Sequence, residues 1–282
     1  MNIPKKNASS YCNYNDSFIS YDHNRQPNGL LEILHIFGQT PIPVEEQIIL
    51  EGGFGTGPYI DYIRHHIKEI HGVEGSEQGY AETKQKIGDA KNVYLQIGNI
   101  LDLSFADNFF DAYMVNQVLH HLDKEPSFPN LTLFLKESKR VIKPGGVLTI
   151  NTSSQEQLNP CSGAYWNYKY IETAALAIQA RYIPVPELIS RLGELGFTDI
   201  QTTIPSGKLF QEQYYQDPWL ALDTDFQKAD SIYCFCSEKQ INEANTLIRS
   251  SIDDGSIQQQ MKHAAKRAEK IGEATIISAR KP

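Results

Sequence analysis

Cysteine is scarce in this sequence. The chain of 282 residues has four cysteines, which are Cys12, Cys161, Cys234 and Cys236. Four scattered cysteines are too few for a disulfide framework, and the Cys-x-Cys spacing of the last two does not match a zinc finger. We therefore expect free thiols and no metal site.

Positive charge and long apolar runs are also scarce. Lysine and arginine number 26 against 34 acidic residues, which gives a formal net charge of −8 and a pI near 5.5. This balance argues against a nucleic-acid substrate, since phosphate backbones select for basic patches. No uncharged apolar run reaches the length of a membrane span, and the N-terminal segment lacks the apolar core of a signal peptide. We predict a cytoplasmic protein that acts on a small molecule, with no membrane partner and its oligomeric state left open.

A glycine-rich loop follows the first apolar run, which reads Ile-Ile-Leu-Glu-Gly-Gly-Phe-Gly-Thr-Gly from Ile48 to Gly57. The apolar run predicts a buried parallel strand, and the glycines let the backbone approach a ligand closely. The dinucleotide fingerprint would need a third glycine where Pro58 stands, and no Gly-Lys-Ser or Gly-Lys-Thr follows to make a P-loop. The carboxylate of Glu51 would repel a pyrophosphate but suits a ligand that carries an ammonium group.

The pattern acid-x-Gly-x-Gly-x-Gly, formed by Glu51, Gly53, Gly55 and Gly57, resembles motif I of the class I S-adenosylmethionine-dependent methyltransferases. Four more features similar to that family follow in order. They are a second strand that ends in an acid, a third strand, a fourth strand with its loop, and a Lys-Pro-Gly-Gly leader to a fifth strand. These features lie at 70–74, 93–100, 109–122 and 141–150. The resemblance covers residues from about 15 to 200.

The resemblance implies S-adenosyl-L-methionine as cofactor and S-adenosyl-L-homocysteine as product. Glu51 and the glycines would hold the methionine end, Glu74 the ribose hydroxyls, and Asn99 with Ile100 the adenine. Asn99 stands where the family usually has aspartate, and an amide can both donate to and accept from adenine. The remaining candidates for cofactor binding are Tyr21, Arg25, Gly75, Asn116 and Gln117.

The segment around Tyr21 and Arg25 allows two interpretations. In similar methyltransferases it closes over the cofactor, and Arg25 would then form a charge-assisted pair with the methionine carboxylate. Alternatively, it is an exposed turn before a helix. The sequence leaves both open.

Methyl transfer needs mainly alignment of the nucleophile with an already activated methyl group, and a base is required only for some acceptors. His120 and His121, after the fourth strand, are the catalytic candidates if a base is used, although a structural role for either is an open alternative. Candidates for acceptor binding come from the aromatic stretch after the fifth strand and from a later insertion. They are Tyr165, Trp166, Tyr170, Arg181 and Tyr214, for which ordinary core packing is the alternative.

The fold class implied is α/β: a doubly wound, Rossmann-like sheet of seven strands, mostly parallel with the last strand antiparallel, plus a helical and aromatic lid insertion. Crossover helices are expected over Tyr59–Ile70 and Glu77–Ile87. The expected divisions are an N-terminal cap helix region, the methyltransferase core with a lid segment inside it, an insertion of lid or interaction helices, and a last core strand. Their residues are 1–40, 41–204 (lid 155–183), 205–272 and 273–282.

Three other functions stay open at this point. A NAD(P)-dependent oxidoreductase shares the strand, glycine turn and ribose-binding acid, although Pro58 counts against it. A non-catalytic S-adenosylmethionine-binding protein could use the insertion as an interaction surface. Arsenic-methylating relatives of the family hold a trivalent metalloid with several cysteines, so cysteine ligation is the third alternative.

Overall fold

The computed structural model describes residues 21–282. Seven strands form one sheet in the order β3-β2-β1-β4-β5-β7-β6. In chain order the strands are β1 (Ile48–Gly52), β2 (Glu69–Glu74), β3 (Val93–Ile97), β4 (Phe110–Asn116), β5 (Ile142–Thr152), β6 (Thr198–Thr203) and β7 (Thr275–Arg280).

The sheet is parallel except for β7. Strands β3, β2, β1, β4 and β5 pair in parallel, whereas β7 runs antiparallel to both β5 and β6. Every residue of β4 is buried, as expected of a central strand covered on both faces. The expected fold class is therefore confirmed. The strand order changes direction between β1 and β4, and the crevice at this switch point is where doubly wound sheets bind ligands.

Helices cover both faces of the sheet and extend beyond it. They are α1 (Leu30–Phe37), α2 (Pro58–Ile63), α3 (Glu77–Ile87), α4 (Pro129–Val141), α5 (Glu172–Gln179), α6 (Val185–Glu194), α7 (Glu212–Gln216), α8 (Thr224–Ala229), α9 (Glu238–Asp253) and α10 (Ser256–Ile271). The crossover helix expected over Tyr59–Ile70 is shorter, because α2 ends at Ile63 and β2 begins at Glu69. The helix expected over Glu77–Ile87 has those bounds.

Three hydrophobic clusters hold the chain together. One packs α1 and α2 on one face of the sheet, around Ile33 and Ile60. A second packs α4 and α6 on the other face, around Phe134 and Leu188. The third, which we call the aromatic core, joins the segment after β5 to the insertion before β7, for example through Trp166. The insertion is thus packed onto the segment that follows the fifth strand.

The expectation of free thiols is wrong at one position, because Cys234 is disulfide-bonded. Cys161 is a free, exposed thiol and Cys236 is free and half-buried. Cys12 lies outside the described residues. A sulfur in a disulfide has no thiolate to offer a metalloid, so Cys234 does not serve cysteine ligation in this form.

Two features are absent from residues 21–282. No helix in that range combines the length and the apolar character that a membrane span requires. In the same range, His, Cys, Asp and Glu side chains nowhere gather in a group of three or more that could hold a metal ion.

Candidate functional site

A cavity of about 1390 Å³ opens at the carboxyl ends of β1, β2, β3 and β4. Its remaining walls come from residues 21–27, which belong to a segment that we call the N-terminal strap (residues 21–28), from the segment after β5, and from the insertion before β7. Pockets for a single small molecule commonly measure about 300–1,000 Å³. The volume is therefore sufficient for two small ligands side by side.

The glycine loop forms one edge of this cavity. Gly53 and Gly55 line it, with φ values of 69° and 55°, a region that side chains with a Cβ rarely adopt. A Cβ at Gly53 would lie 2.7 Å from Cγ2 of Val118. Gly57 also has a positive φ, of 74°, but it precedes α2 and packs against Thr83, away from the cavity. Gly57 therefore contributes to the conformation of the loop and does not line the cavity.

Glu51 places a buried carboxyl group at the end of β1, with its residue 1% exposed. Its Oε1 accepts a hydrogen bond of 2.9 Å from Nδ2 of Asn116. Within residues 21–282, Oε2 of Glu51 and Oδ1 of Asn116 have no hydrogen-bond partner. Burial raises the pKa of Glu51 to about 8. Two acceptor oxygens that lack donors next to a cavity are suited to an ammonium group.

Glu74 connects the second strand to the glycine loop. Its residue is 5% exposed, its Oε2 accepts from the Gly55 amide at 2.8 Å, and its Oε1 accepts from the Ser76 amide at 2.8 Å. Burial raises the pKa of this carboxyl group, and the backbone hydrogen bonds oppose the shift. Glu74 and the neighbouring Gly75 both line the cavity, so the carboxylate is in place to accept from hydroxyl groups of a ligand.

Asn99 and Ile100 line the cavity beyond the end of β3. Asn99 is exposed, and its Oδ1 accepts from the Leu101 amide at 3.0 Å. Ile100 is buried and supplies an apolar wall. The pair therefore offers an amide group and an apolar contact at one end of the cavity.

The N-terminal strap is held by charged contacts at two points. Asp22 accepts hydrogen bonds from Oγ1 of Thr56 in the glycine loop and from Nζ of Lys86. Farther along, Nη2 of Arg25 pairs with Oδ1 of Asp230 at 3.0 Å, with side-chain exposures of 16% and 3%. The strap therefore packs between the glycine loop and the insertion, although Asp22 and His23 within it are exposed.

The main partner of Arg25 is a carboxylate of the protein, whereas the expected partner was the methionine carboxylate of the cofactor. Its guanidinium carbon lies 3.9 Å from the ring centroid of Phe210, and its Nε donates to the Ala229 carbonyl at 3.4 Å. The positive charge is thus matched by Asp230 within the protein. Tyr21 lines the cavity, and burial raises its pKa.

The loop after β4 brings Gln117, His120 and His121 to the cavity. Gln117 has a φ of 56°, a strained value for a residue with a side chain. The His120 ring stacks on Tyr182 with centroids 4.3 Å apart and planes at 12°. Burial lowers the pKa of both imidazoles, that of His121 to about 3, and the charge of Arg181 adds to the effect. Both histidines are therefore neutral at physiological pH.

A second part of the cavity, which we call the aromatic chamber, is built by segments outside the first four strands. Its polar side chains form hydrogen bonds with one another or with the backbone. The Tyr168 hydroxyl donates to Oδ2 of Asp230 at 3.4 Å, the Tyr182 hydroxyl to Oε1 of Gln117 at 3.5 Å, and the Tyr165 hydroxyl to the Glu273 carbonyl at 3.1 Å. Its members are Arg25, Gln117, His120, Leu158, Tyr165, Tyr168, Ile178, Tyr182, Leu209 and Asp230.

Of the five residues expected to bind the acceptor, Tyr165 lines the cavity and the others lie away from it. Trp166 and Tyr214 stack on each other in the aromatic core, with centroids 5.7 Å apart. The Tyr170 hydroxyl contacts Oε1 of Gln260. Arg181 donates from Nη1 to the Asp123 carbonyl at 3.2 Å.

Sequence reasoning missed Asp230 as a site residue. Asp217, Asp223 and Asp230 each cap a short helical turn through the side chain. Such repeated capping could have placed Asp230 at a turn. Its partner Arg25 is 205 positions away in the sequence, and no local pattern identifies that contact.

Known methyltransferases are similar to this chain in sequence and in fold. The family model described as "Methyltransferase domain" matches residues 50–150. A demethylmenaquinone methyltransferase of Bacillus pumilus is 31% identical over 149 residues, which are 47% of this chain and 61% of that protein. The same enzyme of Staphylococcus aureus is 33% identical over 90 residues, which are 32% of this chain and 35% of that protein. The chain thus matches less than two thirds of the length of these relatives.

Solved structures show the same fold at low identity. A proposed methyltransferase from an antibiotic biosynthesis pathway of Anabaena variabilis superposes with a TM-score of 0.65 at 17% identity, covering 90% of this chain and 98% of that one. The phosphoethanolamine N-methyltransferase 2 of Haemonchus contortus, solved with phosphomonomethylethanolamine and S-adenosylhomocysteine, gives a TM-score of 0.57 at 15% identity. That superposition covers 96% of this chain and 58% of the other.

Proposed function

We propose that this chain, which is a class I S-adenosylmethionine-dependent methyltransferase, transfers the methyl group of S-adenosyl-L-methionine to a small-molecule acceptor held in the aromatic chamber. One observation carries this proposal. A single cavity is lined both by the glycine loop, with its two buried carboxyl groups, and by the aromatic chamber residues of the segment after β5 and of the insertion. A cofactor and an acceptor would therefore meet without crossing bulk water.

The residues present fit the proposed cofactor. Oε2 of Glu51 and Oδ1 of Asn116, which lack donors among the described residues, would receive the ammonium group of the methionine portion. Glu74 and Gly75 would hold the ribose, and Asn99 with Ile100 the adenine. When bound, S-adenosyl-L-methionine would supply a methyl group that is already activated by the positive sulfonium.

The protein itself would hold the acceptor and the methyl group in position and would exclude water. Gln117 and the stacked pair of His120 and Tyr182 stand where the loop after β4 meets the chamber. If the acceptor is a hydroxyl group, we propose that His120 accepts the proton of that group, with His121 as the second candidate. A neutral imidazole can accept a proton that becomes strongly acidic as the methyl group bonds to oxygen.

The alternatives are less well supported. In a dinucleotide site the position of Pro58 would hold a glycine, whereas Pro58 here begins α2. A protein that only binds the cofactor would have no use for the further space that the aromatic chamber adds to the cavity. The names of the relatives do not fix the acceptor, since one acts on demethylmenaquinone and a structural neighbour on phosphoethanolamine.

Calorimetric titration with S-adenosyl-L-methionine, S-adenosyl-L-homocysteine and NADH in parallel tests the proposed cofactor. We expect both adenosyl ligands to bind with micromolar dissociation constants and NADH to give no heat of binding. Binding of NADH alone would overturn the proposal in favour of redox chemistry.

Replacing Glu74 by alanine should weaken S-adenosyl-L-homocysteine binding by about 1–3 kcal/mol, or about 5- to 150-fold. The substitution removes an acceptor for the ribose and leaves the amides of Gly55 and Ser76 without their partner. Calorimetry measures the loss. Glu69→Ala, at the other end of the same strand, is the matched control and should bind as the wild type does. Equal affinities of the two variants would remove Glu74 from the site.

A further inference from the structure

The described side chains of the aromatic chamber carry no net charge. Within the described part of the chain, its ionised side chains are Arg25 and Asp230, which form a buried pair at 3.0 Å. Its tyrosine hydroxyls and the His120 ring are neutral. An acceptor with a carboxylate, phosphate or ammonium group would therefore lose its hydration without meeting a counter-charge that is not already used.

The chamber is also lined by aromatic rings. His120 and Tyr182 are stacked at 12°, and both residues are buried in the protein and line the cavity. Tyr165 and Tyr168 are a second aromatic pair, with centroids 4.7 Å apart, and Leu158 and Leu209 add aliphatic surface. A planar aromatic ring can stack on such faces, which adds to the gain from burying its apolar area.

Gln117 supplies a directed polar group at the junction with the cofactor half. Its Oε1 accepts from the Tyr182 hydroxyl, so its amide is oriented with Nε2 as the remaining donor. Among residues 21–282, Nε2 of Gln117 has no hydrogen-bond partner and is buried. A strained backbone angle and an unused buried donor in a cavity both indicate a residue kept for a ligand.

From these three observations we propose that the acceptor is an uncharged, planar aromatic hydroxyl compound whose ring lies in the aromatic chamber and whose oxygen accepts a hydrogen bond from Nε2 of Gln117. This inference rests on the proposed function. The acceptor oxygen forms a bond to the methyl carbon while the bond from that carbon to sulfur breaks, and sulfur keeps the electron pair. The O–H bond then breaks, and its proton passes to the His120 imidazole and on to solvent. The products are an aryl methyl ether, S-adenosyl-L-homocysteine and one proton.

A comparison of three naphthalene probes tests the acceptor class. The protein is first titrated with S-adenosyl-L-homocysteine, which reports on the proposed function by itself. The saturated complex is then titrated at pH 7 with 2-naphthol, 2-naphthoate and 2-naphthylmethylamine, which differ mainly in charge. We expect 2-naphthol to bind at least tenfold more tightly than either charged probe. Equal or tighter binding of a charged probe, or no binding of 2-naphthol to the saturated complex, would overturn the acceptor class.

Two conservative variants separate Gln117 orientation from general packing. Tyr182→Phe keeps the ring stack but removes the hydroxyl that orients Gln117, so 2-naphthol should bind about fivefold more weakly while S-adenosyl-L-homocysteine binds unchanged. Tyr94→Phe, on an exposed tyrosine of β3, is the matched control and should change neither affinity. Loss of both affinities in Tyr182→Phe, or of neither, would overturn the role given to Gln117.

Discussion

Replacing Arg25 by methionine is expected to lower the free energy of unfolding by about 3–5 kcal/mol, because it leaves a buried charge without its partner. The Asp230 side chain is 3% exposed, and Arg25 supplies the opposite charge at 3.0 Å. Burial already raises the pKa of Asp230, an effect that the charge of Arg25 opposes. In a chain of this size the loss corresponds to a fall in Tm of about 6–20 °C.

The double variant Arg25→Met with Asp230→Leu distinguishes pairing from packing. It removes both charges, so we expect it to recover at least half of the lost stability. Urea unfolding of the wild type, both single variants and the double variant gives the coupling energy. Lys239→Met is the matched control, since its pair with Glu243 is exposed and should contribute less than about 1 kcal/mol. A loss of under about 1 kcal/mol for Arg25→Met would show that the buried pair does not hold the strap.

The second large effect is expected from Glu51→Gln, which should stabilise the ligand-free protein at alkaline pH while it weakens cofactor binding. Burial raises the pKa of Glu51 from 4.5 to about 8, so the folded protein binds a proton that the unfolded chain releases. The stability that this proton contributes is present in full below pH 4.5 and is lost as the pH rises through 8. Glutamine does not titrate, so the variant escapes a loss of about 3–5 kcal/mol.

Thermal unfolding of the ligand-free wild type and Glu51→Gln between pH 5 and pH 9 measures this effect. The two curves should lie closest at pH 5 and separate progressively up to about pH 8, with the variant higher. S-adenosyl-L-methionine should bind the variant about 10- to 100-fold more weakly, because a neutral amide replaces the carboxylate that would meet the ammonium group. Parallel melting curves at all pH values would contradict the buried titration. Unchanged binding would remove Glu51 from the cofactor site.

The sheet and the cofactor half of the cavity could be predicted because their signals are local. The strand before the glycine loop begins as a short apolar run, and each proposed cofactor group lies at or just after a strand end, as Glu51 and Glu74 do. The helix predicted after the glycine loop extends to Ile70, beyond its observed end at Ile63, because the apolar residues of the turn and of β2 continue the helical spacing by chance. A helix boundary without a strong cap is poorly fixed by pattern alone.

The aromatic chamber could not be predicted with the same success. Tyr165 and Tyr168 line it, whereas Trp166 and Tyr170 point into or beyond the aromatic core, although all four lie within six residues. This stretch turns through short helical segments, so neither a period of two nor one of 3.6 separates the two sides. The chamber also depends on Asp230, which reaches it only through tertiary packing.

The position of β7 has a consequence for the order of folding. This strand is made after β6, yet it lies between β5 and β6, and Thr152 of β5 pairs with Thr275 of β7. Strand β6 therefore has no neighbour in the sheet until the whole insertion has left the ribosome. Pairings so distant along the chain form slowly, because the entropy of closing the intervening loop is lost first. Asp230 and the other chamber residues of the insertion are thus already synthesised when the sheet closes, and the two can assemble in one step.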